Sequence, residues 1–100
     1  MAVETYEAII KIPIGKKPCT MTIDRKGDGT FEGEFTVLGS TAPVTDGKID
    51  DEGNYSCGCT ITTILGTMDG TAEGRVHDGL IEGVAKARIG VLEMKSAELW

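Results

Sequence analysis

The chain has few aromatic residues and no long apolar run. Aromatic residues make up 5% of the chain. No apolar stretch approaches the roughly 20 residues that a membrane-spanning helix needs. The opening residues, MAVETYEAIIKIPIG, lack a basic segment followed by a long apolar one, so no signal peptide is expected. The whole chain is 40% hydrophobic and 26% charged, which is ordinary for a globular protein, and its 100 residues predict a single domain spanning 1–100.

Positive charge and cysteine are also scarce. The chain has ten Lys and Arg residues and sixteen Asp and Glu residues, which give a formal net charge of −6. An acidic surface repels phosphate backbones and anionic membranes, so neither nucleic acid nor a membrane is expected as a partner. The three cysteines are an odd number, and Cys57 and Cys59 are too close along an extended segment to bridge easily. Reduced thiols and a cytoplasmic location follow as the expectation.

Residues that could carry chemistry are few. His77, the only histidine, directly precedes an Asp-Gly turn, where a side chain is normally exposed. Zinc sites use close ligand pairs from loops, whereas Cys57 and Cys59 fall inside one predicted strand and Cys19 in another. No base lies beside a nucleophile in the sequence, and no helix follows the glycine-rich segments as a phosphate-binding loop requires. The sequence therefore predicts no catalytic residue, no metal and no cofactor.

Glycine, by contrast, is abundant, and it marks turns. The chain has 14 glycines, four of which end the apolar runs IPIG, TVLG, TILG and ARIG. Between these runs lie the turn signals KGDGT, DDEGN and HDGL. Asp-Gly flanked by alternating residues is a strong hairpin signal. Seven turns predict eight short strands, arranged as a hairpin repeat of about 25 residues.

The segment 66–90 shows how the strands pair. With Asp78-Gly79 as a two-residue turn, the facing pairs on one side are apolar or small: Val76–Ile81, Gly74–Gly83, Ala72–Ala85, Gly70–Ala87 and Met68–Ile89. On the other side, Arg75 faces Glu82 and Asp69 faces Arg88. A shift of one residue would mix the two faces, so this register is favoured.

Four further expectations concern single segments. A three-residue turn at 27–29 pairs Met21 with Phe35. A turn at Leu65-Gly66 puts Tyr55 on the small-residue face. A bulge near 46–47 restores the alternation of TAPVTDGKID; without a bulge, Asp46 would be an inward carboxylate. The last run, 91–99, is interpreted as a strand, with an end helix as the alternative.

These patterns predict an all-β fold, a single eight-stranded antiparallel up-and-down (meander) barrel, because closure removes exposed sheet edges. The interior of such a barrel is either just filled or holds one small ligand. In the first case the glycines let the barrel bend, and aromatic side chains from the opposite wall fill the space beside them. In the second case the strands rich in glycine and alanine leave a cavity. The candidate cavity-lining residues are Tyr6, Phe31, Phe35, Tyr55, Cys57, Met68, Gly74 and Met94.

The segments IPIGKKPCTMTIDRKGDGTFEGEF, VLGSTAPVTDGKIDDEGNYSCG and TTILGTMDGTAEGRVHDGLIEGVAKARIG resemble a glycine-rich bacterial module. The resemblance covers almost the whole chain and implies a small lipocalin-like or calycin-like barrel. Such modules occur alone or attached to hydrolases and oxidoreductases, notably flavin-dependent ones. The resemblance brings no catalytic motif, and this chain departs from it at TILGTM, where the Pro-hydrophobic-Gly loop lacks its proline.

Three functions fit these observations. The first is a binding module that holds a small hydrophobic or aromatic molecule inside the barrel. The second is a non-catalytic module that associates with itself, as a homo-oligomer, or with a partner enzyme. The third is a small barrel isomerase or cyclase that uses cavity tyrosines and carboxylates. The third is the weakest because no acid–base constellation is visible, and the first is our expectation.

Overall fold

The computed structural model describes residues 3–64, 66–88 and 90–100, and it is built from antiparallel strands. The strand segments are β1 (Glu4–Ile12), β2 (Gly15–Arg25), β3 (Phe31–Glu32), β4 (Glu34–Val37), β5 (Ser40–Ile49), β6 (Asn54–Thr63), β7 (Gly66–His77), β8 (Leu80–Ala87) and β9 (Gly90–Lys95), followed by one 3₁₀ turn, Ala97–Leu99. Both β3 and β4 pair with β2 in one register, on either side of Gly33, so they are two halves of a single strand. The segments therefore make eight strands.

The eight strands form a closed up-and-down barrel, as the sequence predicts. Each strand pairs antiparallel with its neighbour in the chain, and β1 pairs with both β2 and β9. The closing seam is short, since β1 and β9 pair through Ile9–Lys95 and Ile10–Met94. The indole Nε1 of Trp100 donates to the carbonyl oxygens of Ile9 and Lys95, at 3.1 Å each. Trp100 thereby spans the seam from outside.

The predicted β7–β8 hairpin is confirmed in turn and register. Asp78 and Gly79 have φ angles of 52° and 76°, as expected for a type I′ turn, whose twist matches that of the two strands it joins. The small-residue pairs occur as predicted, from Val76–Ile81 to Gly70–Ala87. The predicted Met68–Ile89 pair involves position 89, which lies outside the described residues.

The charges on the outer face of this hairpin pair differently from the prediction. Arg75 does face Glu82 in the ladder, but its Nε donates to the carbonyl oxygen of Glu52 at 3.2 Å. The carboxylate of Glu82 instead lies 2.9 Å from Nε2 of His77. Side chains two positions apart on one side of a hairpin can reach diagonally, so facing positions alone do not determine ion pairs.

The three-residue turn at 27–29 is also confirmed. The amide of Lys26 donates to the carbonyl oxygen of Thr30 at 3.0 Å, and Met21 pairs with Phe35. Asp24 faces Glu32 in this register, a like-charge pair. The ammonium of Lys26 lies 2.8 Å from Asp24 and 3.5 Å from Glu32, which offsets their repulsion.

The predicted β6–β7 turn is displaced by one residue. Thr63 pairs with Gly66, so Gly66 is the first residue of β7 and not part of the turn, and Tyr55 faces Gly74. The φ of Gly66 is 100°, so glycine is used where the strand begins. The face assignment survives because the register moves by two residues, and a strand face repeats every two residues. Position 65 lies outside the described residues.

The predicted bulge in β5 is present. The β5–β6 register shifts between Thr45 and Lys48, and Asp46 has a φ of 52°. Asp46 is exposed, so it is not an inward carboxylate. A Cβ atom on Gly47 would overlap the carbonyl oxygen of Phe31, which explains why the bulge contains glycine.

The last run is a strand followed by a short turn. The strand β9 ends at Lys95, and the 3₁₀ turn follows it. Between them Ser96 is buried; its amide donates to the carbonyl oxygen of Ile81 at 2.8 Å, and its Oγ accepts from the Ile81 amide at 2.9 Å. Within residues 3–64, 66–88 and 90–100, no helix is long and apolar enough to cross a membrane.

Candidate ligand site at the open end of the barrel

The two kinds of glycine turn lie at opposite ends of the barrel. In an up-and-down barrel alternate turns share an end, so the four turns that follow apolar runs lie together. We call this the open end, defined by the described residues 11–17, 36–41, 62–64, 66–67, 86–88 and 90–91. The turns at 26–30, 50–53 and 78–79 lie at the other end, which we call the closed end.

The closed half of the interior is filled. Tyr55 fills the space beside Gly74 and Gly83, which we call the glycine wall. Its hydroxyl donates to the carbonyl oxygen of Glu82 at 3.2 Å, and the side chain is 3% exposed. A Cβ on Gly83 would overlap that hydroxyl oxygen. A Cβ on Gly74, which faces both Tyr55 and Gly83, would overlap the Glu82 carbonyl oxygen. These glycines therefore admit a tyrosine ring and a close approach of β7 and β8.

A second group completes the closed end. The guanidinium of Arg25 donates twice to the carboxylate of Glu4, at 2.7 and 3.1 Å, and the Tyr6 hydroxyl donates to the same carboxylate at 2.6 Å. The hydrogen bond from Arg25 lowers the pKa of Glu4, and burial raises the pKa of Tyr6. Phe31 packs nearby at 3% exposure and pairs with Arg25. This carboxylate is therefore held by partners within the chain, and Glu4 is not part of the cavity lining.

The open half of the interior is different, because it is not filled. The inward residues Leu38, Val44, Cys59 and Met68 are only half-buried, although they pack against the core. They surround an apolar cavity of about 80 Å³. On the β7–β8 side its wall is built from small residues: Gly70, Ala72, Gly83, Ala85 and Ala87. The sequence left open whether the interior is filled or contains a cavity. In the structure the closed end is filled and the open end contains a cavity.

The eight predicted lining residues divide between the two halves. Five of them line the cavity: Phe35, Tyr55, Cys57, Met68 and Met94. Tyr6 and Phe31 belong to the closed end, and Gly74 lies beside Tyr55 and outside the cavity lining.

The lining also includes residues that were not predicted. Ile12 and Leu92 continue the inward alternation of β1 and β9, so the pattern could have revealed them. Leu38 has a φ of 53° at a turn, and no periodic signal indicates where its side chain lies.

The thiols near the cavity behave as apolar surface. Burial raises the pKa of Cys57 to about 11 and that of Cys19 to about 12. Both are protonated near neutral pH, and protonated thiols are poor nucleophiles and poor metal ligands. All three cysteines are free. Across the described ranges, which omit positions 1, 2, 65 and 89, no group of three or more His, Cys, Asp or Glu side chains could hold a metal ion.

The only histidine lies outside the cavity. Its Nε2 is 2.9 Å from Glu82 and its Nδ1 is 3.5 Å from Asp78, at the closed-end turn. The hydrogen bond to Glu82 raises the pKa of His77 above its ordinary value. This imidazole is a surface group of the β7–β8 hairpin. Among the described residues that line the cavity, the titratable ones are Tyr55, Cys57, Cys59 and Lys86, and Lys86 is exposed on β8 opposite Thr71.

Comparison with known proteins gives no match. No family model matches the chain, and neither a curated protein nor a solved structure does. The strand pairing itself therefore defines the fold, a closed eight-stranded antiparallel barrel with one packed end and one end that contains an apolar cavity.

Proposed function

We propose that the barrel binds a small apolar molecule in the open-end cavity. The observation that carries this proposal is the cavity of about 80 Å³, walled by Gly70, Ala72, Ala85 and Ala87 on one side and by longer apolar side chains on the other. Natural interiors are packed to crystal-like density, so a void at small residues needs an explanation. A ligand of matching shape would restore the lost contacts.

The size of the cavity limits the ligand. Drug-sized molecules occupy pockets of about 300–1,000 Å³, whereas an apolar cavity of about 150 Å³ holds benzene. The observed 80 Å³ suits a short aliphatic chain or a small compact molecule. Met68 lies at the wall, and a methionine side chain can adapt its rotamers to admit a single ring.

Chemistry at the site favours binding over catalysis. The lining offers apolar surface and neutral thiols, and the carboxylate of Asp46, which an isomerase or cyclase would have needed inside, lies on the exposed bulge. A bound molecule would therefore be held by burial of apolar surface, about 25 cal/mol for each Å² removed from water.

The replacement Ala85→Leu tests the proposal. It adds three carbon atoms into the cavity, so binding of benzene, followed by NMR chemical-shift changes of the backbone amides, should weaken by at least about tenfold while the fold persists. Val91→Leu is the matched control, because Val91 is 65% exposed on the neighbouring strand and points away from the interior. Benzene shifts that persist unchanged in Ala85→Leu, or an unaltered protein that shows amide shifts with neither benzene nor the smaller probe xenon, would contradict a cavity-bound ligand.

A second candidate, an accessory module attached to a partner enzyme, is favoured by the exposed aliphatic residues Ile14 and Ile64 at the open end, which are 52% and 83% exposed. The resemblance to a bacterial lipocalin-like module agrees with either candidate.

We also propose a cytoplasmic location, because the three cysteines are free thiols.

A further inference from the structure

Charge is distributed unequally between the two ends of the barrel. The open-end segments contain five basic residues and no acidic one; the basic residues are Lys11, Lys16, Lys17, Lys86 and Arg88. The closed-end turns and the strand ends beside them carry acidic residues, among them Asp24, Asp28, Glu32, Asp50, Asp51, Glu52, Asp78 and Glu82. A chain of net charge −6 therefore has one positively charged end.

The open end is also the end with exposed aliphatic side chains. Ile64 is 83% exposed and Ile14 is 52% exposed, each within a turn of this end. Val91, beside the β8–β9 turn, is 65% exposed. An exposed aliphatic side chain on its own is ordinary, but three at one end, together with the basic residues of the β1–β2 and β8–β9 turns, form a surface of defined chemistry.

The cations of the open end repel one another and are poorly compensated. Lys11 and Lys16 face each other directly in the β1–β2 ladder, a destabilising like-charge pair. Lys86 lies 3.9 Å from Glu73, both side chains being 65% exposed, and Lys16 lies 4.3 Å from the Trp100 ring. Over the part of the chain that the structure describes, Lys11, Lys17 and Arg88 form no ion pair. An anionic surface would relieve this repulsion.

We propose that the open end docks on a membrane surface that contains anionic phospholipids. The aliphatic tips at Ile14 and Ile64 would enter the boundary between head groups and acyl chains, and the five basic side chains would lie at the level of the phosphates. Juxtamembrane lysines and arginines and shallow apolar insertion are the two contributions that hold a peripheral protein on such a surface. A nucleic acid would complement the charge but leave the aliphatic tips exposed to water.

The acidic closed end does not prevent this docking. Along β2, Lys16 and Asp24 are eight residues apart, which is about 26 Å at the rise of a strand. At physiological ionic strength the Debye length is about 8 Å, so charges at the closed end are screened from the lipid surface. The sequence-wide charge predicts repulsion from membranes, whereas the end that would make contact is positive.

Docking would also bring the cavity to the membrane. The open end surrounds the cavity, and Leu38 and Ala87 belong both to the cavity lining and to the open-end segments. The docking proposal rests on the five basic residues and the exposed isoleucines of the open end, and it does not depend on the proposed ligand.

Flotation with lipid vesicles tests the docking. Vesicles of phosphatidylcholine alone are compared with vesicles that also contain phosphatidylglycerol, at about 0.15 M and about 1 M salt. We expect the protein to float with the anionic vesicles at the lower salt concentration and to remain behind with phosphatidylcholine alone. The double replacement Lys11→Glu/Arg88→Glu, and separately Ile14→Asp/Ile64→Asp, should each weaken the vesicle association by at least about tenfold.

Matched variants at the closed end serve as controls. Lys48→Glu/Arg75→Glu changes the net charge by the same amount, and Val3→Asp alters an aliphatic residue that is 55% exposed beside the closed end. Both should float like the unaltered protein. Far-ultraviolet circular dichroism of every variant establishes that the barrel is folded before its flotation is compared.

Three outcomes would overturn the docking proposal. The unaltered protein could fail to float with anionic vesicles, or the closed-end controls could lose binding as much as the open-end variants do. Alternatively, sedimentation could show a dimer that Ile14→Asp/Ile64→Asp dissociates, which would assign the open end to a second copy of the chain. Benzene binding measured in the same variants is expected to persist, so failure of docking is distinguishable from failure of the ligand site.

Discussion

Replacing Gly74 with alanine is expected to lower the free energy of unfolding by about 3 kcal/mol. The added Cβ would overlap the carbonyl oxygen of Glu82 and lie 2.5 Å from the Cα of Gly83. Both are backbone atoms of β8, so no side-chain rotation can relieve the overlap, and β7 and β8 must move apart. Chemical denaturation followed by tryptophan fluorescence measures the loss.

Gly58→Ala is the control for this replacement. Gly58 is also in the middle of a strand, but its added Cβ would meet the Thr45 hydroxyl at 2.8 Å, which a side-chain rotation can move away. We expect a change within about 1 kcal/mol there. Equal losses at Gly74 and Gly58 would mean that close approach of β7 and β8 is not what requires glycine at position 74.

Gly83→Ala is expected to cost about 2–3 kcal/mol, and about 1 kcal/mol less when Tyr55 is already phenylalanine. The added methyl group would overlap the Tyr55 hydroxyl oxygen and lie 2.7 Å from the carbonyl oxygen of Glu73. Removing the hydroxyl relieves the first overlap and leaves the second. Tyr55→Phe alone should cost about 1 kcal/mol, through loss of the hydrogen bond to the Glu82 carbonyl oxygen.

A double-mutant cycle on Gly83 and Tyr55 isolates this contact. Four proteins are unfolded in urea: the unaltered chain, the two single variants and the combination. The cycle should give a coupling of about 1 kcal/mol that favours the combined variant. Additive costs would show that the Tyr55 hydroxyl does not occupy the space beside Gly83, and the explanation of the glycine wall would then be wrong.

Much of the fold could be predicted because turns and alternation are local signals. Asp78-Gly79 sets the register of β7 and β8, and a shift of one residue would have placed Glu73 and Arg75 inside the barrel. The bulge at Asp46 was visible because Val44 and Ile49 could not otherwise share a face. Closure followed from the number of strands.

The candidate site could be predicted only in part. Alternation identifies which residues point inward, but it does not say how far along the barrel axis the filling extends. Tyr55 was expected to line a cavity; its ring both fills the space beside Gly83 and forms the floor of the space that remains. Tyr6 and Phe31 point inward as expected but pack at the closed end. How far the filled part extends along the barrel axis depends on the lengths of side chains from several strands. The sequence of one segment does not determine it.

The segregation of charge was also present in the sequence, although the net charge conceals it. Glycines preceded by aliphatic residues alternate along the chain with glycines preceded by Asp or Glu at the acidic turns. Because alternate turns share an end, this alternation places the exposed isoleucines and five basic residues at one end without a carboxylate, and groups carboxylates with the remaining nearby cations, such as Lys26 and Arg75, at the other. The significance of the pattern depends on closure of the barrel, and closure is established by the pairing of β1 with β9.

A crystal structure determined under xenon pressure would show whether the open half of the barrel contains an empty apolar cavity. Apolar cavities that are empty of water bind xenon, whereas filled interiors do not. We predict one xenon atom in the open half of the barrel, between Met68 and Ala85, and none beside Tyr55 in the closed half. A barrel without bound xenon, or with xenon only at the closed end, would contradict an account in which small residues leave the open end vacant for a ligand.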